Sequence, residues 1–310
     1  MMRVRDKPLA FDFNYEVEEA GVDLIGYADS SGVFDKTMKL VCDDSMETAM
    51  DSVDTQTVLE AEVLEAERLF REELAICQDE VDKCNQFFYT FMAIHGEYGE
   101  KKEVKELVDP RPLFWRTVLG SLQEAMFIAL GRVFNDGSTH SLYSLKTQAK
   151  ACPQMFTREA LSRRKLALNL TDYDKWLPQF IEEAHVPAEA DFDYLRGQLA
   201  THRKIYNDKL LRIRDKWFAH REIGDKRLAN ELFAKTEVAE LESMMTFITR
   251  YQHAFFDLFE NGRRPLIEER VLTTNDLRAQ VNVMDSLYTI QGRAVMETQQ
   301  FFAGVVPKTT

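Results

Sequence analysis

A chain of 310 residues, 45% hydrophobic with only 13 Gly and eight Pro, can bury a sizeable core but is poor in the turn-formers that sandwiches and barrels need. The net charge of −13 excludes a generally basic nucleic-acid-coating surface, because attraction to phosphate needs a positive face. The charge is divided: residues 1–110 hold 11 Lys/Arg against 27 Asp/Glu (net −16), the remainder stands at +3, and residues 201–228 hold nine against four (net +5).

Residues 1–56 form an acidic extension to which no fold is assigned. Phe11, Phe13 and Tyr15 alternate with polar residues, as in a short strand, and Gly21, Gly26 and Ser30-Ser31-Gly32 punctuate the next stretch of chain. From about Thr57 the pattern becomes helical. Leu59, Val63, Ala66, Phe70, Leu74, Cys77, Val81, Cys84, Phe88 and Phe91 step by threes and fours, which predicts a long amphipathic helix with Asp54 or Thr55 as its cap and Gly96 past its end.

A charged loop, Glu97 to Pro112, then leads to a second helix near Leu113–Phe134, apolar enough to be nearly surrounded. Asn135-Asp136-Gly137-Ser138 stops it. Shorter helices are expected over Ser141–Ala151 and Thr157–Leu168, separated by Pro153, and from a Thr171 cap to about Ala184, before Pro187.

Ala188 to His220 reads as one long helix with Leu195, Leu199, His202, Tyr206, Leu210, Ile213 and Trp217 inward. Thr236 is expected to cap a helix that Asn261-Gly262 ends, and Thr274-Asn275-Asp276 to open a last helix reaching Ile290. The result is an all-α bundle of long antiparallel helices over residues 57–260, with a C-terminal helical segment at 261–310.

Four cysteines, Cys42, Cys77, Cys84 and Cys152, include no CxxC pair. Cys77 and Cys84 share a helix face but stand roughly 10 Å apart along its axis, too far for a disulfide. Buried free thiols in a reducing compartment are the expectation. No apolar run of about 18 residues occurs, so a cytoplasmic protein without membrane contact is expected.

Chemistry concentrates near the end of the long helix. Arg214, Asp215 and His220 lie among Arg203, Lys204, Arg212, Lys216 and Arg221. An imidazole can exchange a proton with a ribose hydroxyl or a leaving oxygen, and a guanidinium holds phosphate oxygens through paired hydrogen bonds. Positions six apart differ by about 120° around an ideal helix. Arg214 and His220 can therefore meet on one strand only if the helix loosens before His220 or if two copies of the chain build the site.

Other chemistries fail on spacing. Glu182-Glu183-Ala184-His185 is a single Glu-x-x-His, whereas a di-metal centre needs two and further carboxylates, so neither metal nor cofactor is expected. Gly137-Ser138 is far from Asp172-Tyr173-Asp174, which removes a nucleotidyltransferase, and no phosphate-binding glycine loop or serine-hydrolase elbow occurs.

The run Arg214-Asp215-Lys216-Trp217-Phe218-Ala219-His220 resembles the signature of the HEPN superfamily, an Arg, a polar residue and a His four to six residues after the Arg. The segment IRDKWFAHRE after LRGQL, with the earlier FWRTVLGSLQEAMFIALGRVFND, resembles its abortive-infection U-type branch over roughly residues 57–260. The resemblance implies a bundle that dimerises through the motif helices and cuts RNA without metal, as a toxin or antiviral effector with an antitoxin or other protein partner. It makes His220 the acid/base, Arg214 the phosphate binder and Asp215 an orienting group. Many members only bind RNA or proteins. Glu222 stands where a Tyr is common in members paired with nucleotidyltransferases, a departure from the system in which that Tyr is modified. The charge division raises a further expectation, that segment 1–56 masks the basic helix end.

Overall fold

The stripe of apolar residues that begins near Thr57 is realised as one helix of 49 residues, α1 (Ser52–Glu100), and many of the later elements pack against it. The computed structural model describes residues 52–135, 137, 140–169, 171–219, 236–268, 270–279 and 289–306. The strand expected at Phe11–Tyr15 and the glycines that follow it lie outside these residues.

After α1 come α2 (Lys102–Val108), α3 (Pro112–Phe134), α4 (Leu142–Ala151), a 3-10 turn (Pro153–Phe156), α5 (Arg158–Ala167) and α6 (Tyr173–Glu183). Next is α7 (Glu189–Ile205), continued without a break to Ala219, then α8 (Val238–Asn261), α9 (Thr274–Ala279) and α10 (Ile290–Val305). Among the described residues there is no strand.

Pairings along α1 give the topology. Glu80 meets Arg132 at 3.5 Å and Ile94 shares a cluster with Trp115, so α3 runs antiparallel to α1. Asn85 donates to Thr249 at 2.8 Å and Arg71 reaches Glu260, so α8 does too. Gln291 bonds Thr249 while Gln299 reaches Glu97, which sets α10 parallel to α1. The core between these helices is aromatic: Phe70 makes edge contacts with Phe156, Phe255 and Phe259, and Cys77 and Cys84 are buried free thiols beside it. Such rings bury large areas and supply much of the driving force for packing.

Several boundaries differ from the sequence expectation. Asp54 and Thr55 lie inside α1, not at its cap, and Gly96 lies inside it as well. A Cβ at Gly96 would stand 2.7 Å from Nη1 of Arg278, whose guanidinium crosses there to Glu97 and Glu100. Leu59 is 52% exposed rather than inward, and Val58 and Leu64 beside it are exposed as well. The loop expected from Glu97 contains α2. Helix α3 is not surrounded: Leu113 is 75% and Phe114 59% exposed, while its other face packs along α1. It is long and apolar enough to cross a membrane, with 44% of its most apolar window buried inside the bundle.

The caps moved by one residue at two helices. Asp172, in the left-handed region at φ 58°, precedes α6 in place of Thr171. Glu237 replaces Thr236 before α8, and its backbone N–H is met by Glu240. Gly262 ends α8 in the left-handed conformation, as Asn261-Gly262 predicts. The last helix does not run through Ile290 as expected: α9 is described over Thr274–Ala279, and Thr289 caps α10 by accepting from the N–H of Gly292.

His95 on α1 packs against Phe91, and burial lowers its pKa from 6.5 to about 4. The folded state thus binds this proton less readily than the unfolded chain does. The stabilisation is complete above pH 6.5 and is lost as pH falls toward 4, by about 2–3 kcal/mol. Urea midpoints at neutral and mildly acid pH should therefore separate less in His95→Gln than in the parent. Equal separations would show that His95 does not carry this dependence.

Candidate functional site

The motif arginine sits on the continuation of α7. Leu195 and Leu199 bury one face of the regular helix, and the chain then widens into a π turn at Tyr206–Leu210, where the N–H of Leu211 reaches the carbonyl of Tyr206. A short α turn, Leu211–Ile213, leads to a second π segment, Arg214–Ala219. Each π turn takes in one extra residue and rotates the following side chains relative to an α-helix. The helix is thus widened over the segment that leads to His220. The widening also lets the adjacent Trp217 and Phe218 both pack on the core, where Phe218 stacks on Phe127 with centroids 5.2 Å apart.

Arg214 lies across α3 at Gly131. A Cβ at that glycine would stand 2.6 Å from both Cδ and Nε of Arg214, so the side chain occupies the space a larger residue would fill. Its Nε is buried with no hydrogen-bond partner, its Nη1 is 3.2 Å from Oδ1 of Asp215, and 25% of the side chain remains exposed. The Tyr206 hydroxyl is the third neighbour. Burial raises its pKa, and the Arg214 charge beside it works in the opposite direction. The Tyr206 ring is stacked on Phe134, the last residue of α3, at 5.3 Å and 13°. Glycine seat, carboxylate and phenol thus hold one guanidinium partly out of water, where charge interactions are stronger than at the surface.

The remaining candidates are spread along the helix. Lys204 pairs with Asp208, Arg212 is exposed, and Arg203 and Lys216 are half-buried. His220 and Arg221 lie outside the described residues. His202, expected inward, is stacked on Phe247 at 3.6 Å with Nδ1 3.0 Å from the Gln198 carbonyl, and burial lowers its pKa. Sequence patterning pairs Arg214 with Asp215 but marks Tyr206 as core and gives Gly131 no role. The signal present was an isolated glycine inside a strongly apolar helix, which usually marks close packing or function.

Among the described residues no group of three or more His, Cys, Asp or Glu is placed to hold a metal ion. The Glu182-x-x-His185 pattern is broken because α6 ends at Glu183, and His185 Nε2 instead lies 2.9 Å from Oδ2 of Asp191. Two apolar clefts of about 390 and 370 Å³ flank Trp115. Their few polar groups, among them Arg293 and Glu297 in one and Arg116 and Asp109 in the other, include no member of the motif.

The family model HEPN_AbiU2, described as AbiU2, matches residues 84–269. The match takes in α3, the whole of α7 with its π segments, and α8. No curated protein and no solved structure matches the chain.

Proposed function

The chain belongs to the AbiU2 family of HEPN domains, and from that premise we propose that it is a metal-independent endoribonuclease, acting as a homodimer in phage defence or in a toxin–antitoxin pair. The observation that carries the reading is the Arg214 guanidinium, held between Gly131, Tyr206 and Asp215 inside the matched region. A fixed guanidinium loses little freedom on binding and can offer two donors to non-bridging phosphate oxygens.

In this scheme the His220 imidazole takes the proton of a ribose 2′-hydroxyl, whose oxygen attacks the adjacent phosphorus. The bond from phosphorus to the 5′-oxygen breaks, and a protonated imidazole returns a proton to that oxygen. The products are a cyclic phosphate and a free hydroxyl end. Asp215 orients Arg214. Arg203, Lys204, Arg212, Lys216 and Arg221 attract the strand. Pairing of two chains supplies a second copy of each group, and the reaction takes place in the cytoplasm.

A second reading, a non-catalytic RNA-binding or protein-interaction module, is favoured by the 3.2 Å approach of Asp215, since a carboxylate competes with phosphate for the guanidinium. Incubation with labelled RNA in chelator separates the two. The nuclease reading expects cyclic-phosphate ends that disappear in both Arg214→Ala and His220→Ala. RNA that is bound but left intact by the parent protein would leave only the module.

A further inference from the structure

A group of cations that shares Arg203 with the strand-attracting set above lies where α4 packs against α7. Lys146 and Lys150 are four apart on α4, and Arg196 and Arg203 are seven apart on α7, spacings that keep each pair on one helix face. Lys150 and Arg196 are exposed, and Lys146 is half-buried with its ammonium 4.3 Å from the centroid of the exposed Tyr143 ring. Burial lowers the pKa of Lys146, and the fields of Arg196, Lys150 and Arg203 lower it further.

The acids that meet Lys150 and Arg196 hold them loosely. Glu189 approaches Lys150 only to 3.4 Å and Asp193 approaches Arg196 at 3.2 Å, in pairs open to solvent. Exposed pairs of this kind are weak and exchange readily for another anion. Four like charges gathered beside an aromatic ring suit a phosphate backbone with a base stacked nearby better than an isolated anion.

We propose that Lys146, Lys150, Arg196 and Arg203 form an accessory RNA-backbone surface, with Tyr143 as a stacking platform, that carries the strand along α7 toward Arg214. Arg196 and Arg214 are 18 residues apart, about 27 Å of helix, or roughly eight stacked nucleotides. The surface would therefore make the protein select strands longer than the few nucleotides around the cut. This inference rests on the RNA reading above but is tested by binding, not by cleavage.

The test uses full-length protein carrying Arg214→Ala, so that the strand stays intact, and a fluorescently labelled mixed-sequence single-stranded RNA followed by anisotropy across a salt series. Reversing Lys146, Lys150 and Arg196 to Glu should weaken binding at least about tenfold at low salt. It should also flatten the dependence of log affinity on log salt by about two, since each phosphate contact on a single strand contributes about 0.7. The exposed pair Lys150→Glu/Arg196→Glu should give a smaller shift in the same direction, should the triple variant fail to fold.

Unchanged affinity and slope in both variants would overturn the surface while leaving cleavage by the parent protein to be judged separately. A parent that binds no RNA would overturn the surface and the RNA reading together. Patch-dependent binding with no cleavage by the unmutated chain would keep the surface and sink the nuclease. A polyglutamate peptide that binds in place of RNA, with the same dependence on the patch, would overturn the assignment of RNA as its partner.

Discussion

Gly131→Ala is expected to lower RNA cleavage by about a hundredfold or more without lowering the melting temperature. The added methyl group would stand 2.6 Å from Cδ and Nε of Arg214, so the side chain must leave its seat. The atoms it meets belong to a flexible chain, which can swing away at little cost to the fold. Alanine in place of a mid-helix glycine also favours α3 by up to about 1 kcal/mol. A displacement near 1 Å in a phosphate-holding group costs on the order of 10² in rate, so the effect should be seen in kcat while stability holds or rises. Arg214→Ala should lose at least as much activity. Wild-type cleavage by Gly131→Ala would show that Arg214 does not act from the pose against α3.

Arg164→Ala is expected to destabilise the bundle by about 3–5 kcal/mol. This arginine is only 6% exposed. Its Nη1 donates to Glu67 of α1 at 2.9 Å and to the Met155 carbonyl at 2.7 Å, while Nη2 donates to the Phe259 carbonyl at 2.6 Å. The guanidinium also lies 4.1 Å from the centroid of the Phe259 ring. It therefore ties α1, the 3-10 turn and the last turn of α8 to α5, and caps a carbonyl that the helix leaves open.

Burial works against the charge of Arg164 and lowers its pKa, and the Glu67 carboxylate offsets part of that. Removing the arginine leaves the Glu67 carboxylate, itself buried, facing Arg163 at 2.6 Å. An undercompensated buried charge costs more than the pair contributed, so Arg164→Met combined with Glu67→Leu should recover part of the loss. Urea denaturation measures both. A change below about 1 kcal/mol in Arg164→Ala would mean that Arg163 replaces it fully.

The stretches that were easiest to read in the sequence are those whose signal is local and repeated. The Phe70–Phe91 stripe, the apolar run before Phe134 and the Val238–Leu258 face each repeat at helical spacing over several turns, and each is a helix. The 3.6-residue period is a property of the backbone, so it is visible without knowing the partner. Boundaries were harder because a cap depends on one side chain: Glu237 displaced Thr236, and Gly96 lies inside α1 with Arg278 from a distant helix packed over it. The motif Arg214–His220 was legible as a spacing of residue types, and the family match at residues 84–269 includes it.

By itself, then, the order of residues determined an all-α chain, its principal helices and the family to which it belongs. Only the tertiary structure decided which face of α1 is covered, where α7 widens into π turns, and that Gly131 and Tyr206 are the neighbours of Arg214. The reason is physical. Helical period and side-chain chemistry act between residues close in sequence, whereas the seat of a guanidinium depends on how near two backbones approach, which arises from the packing of the whole bundle.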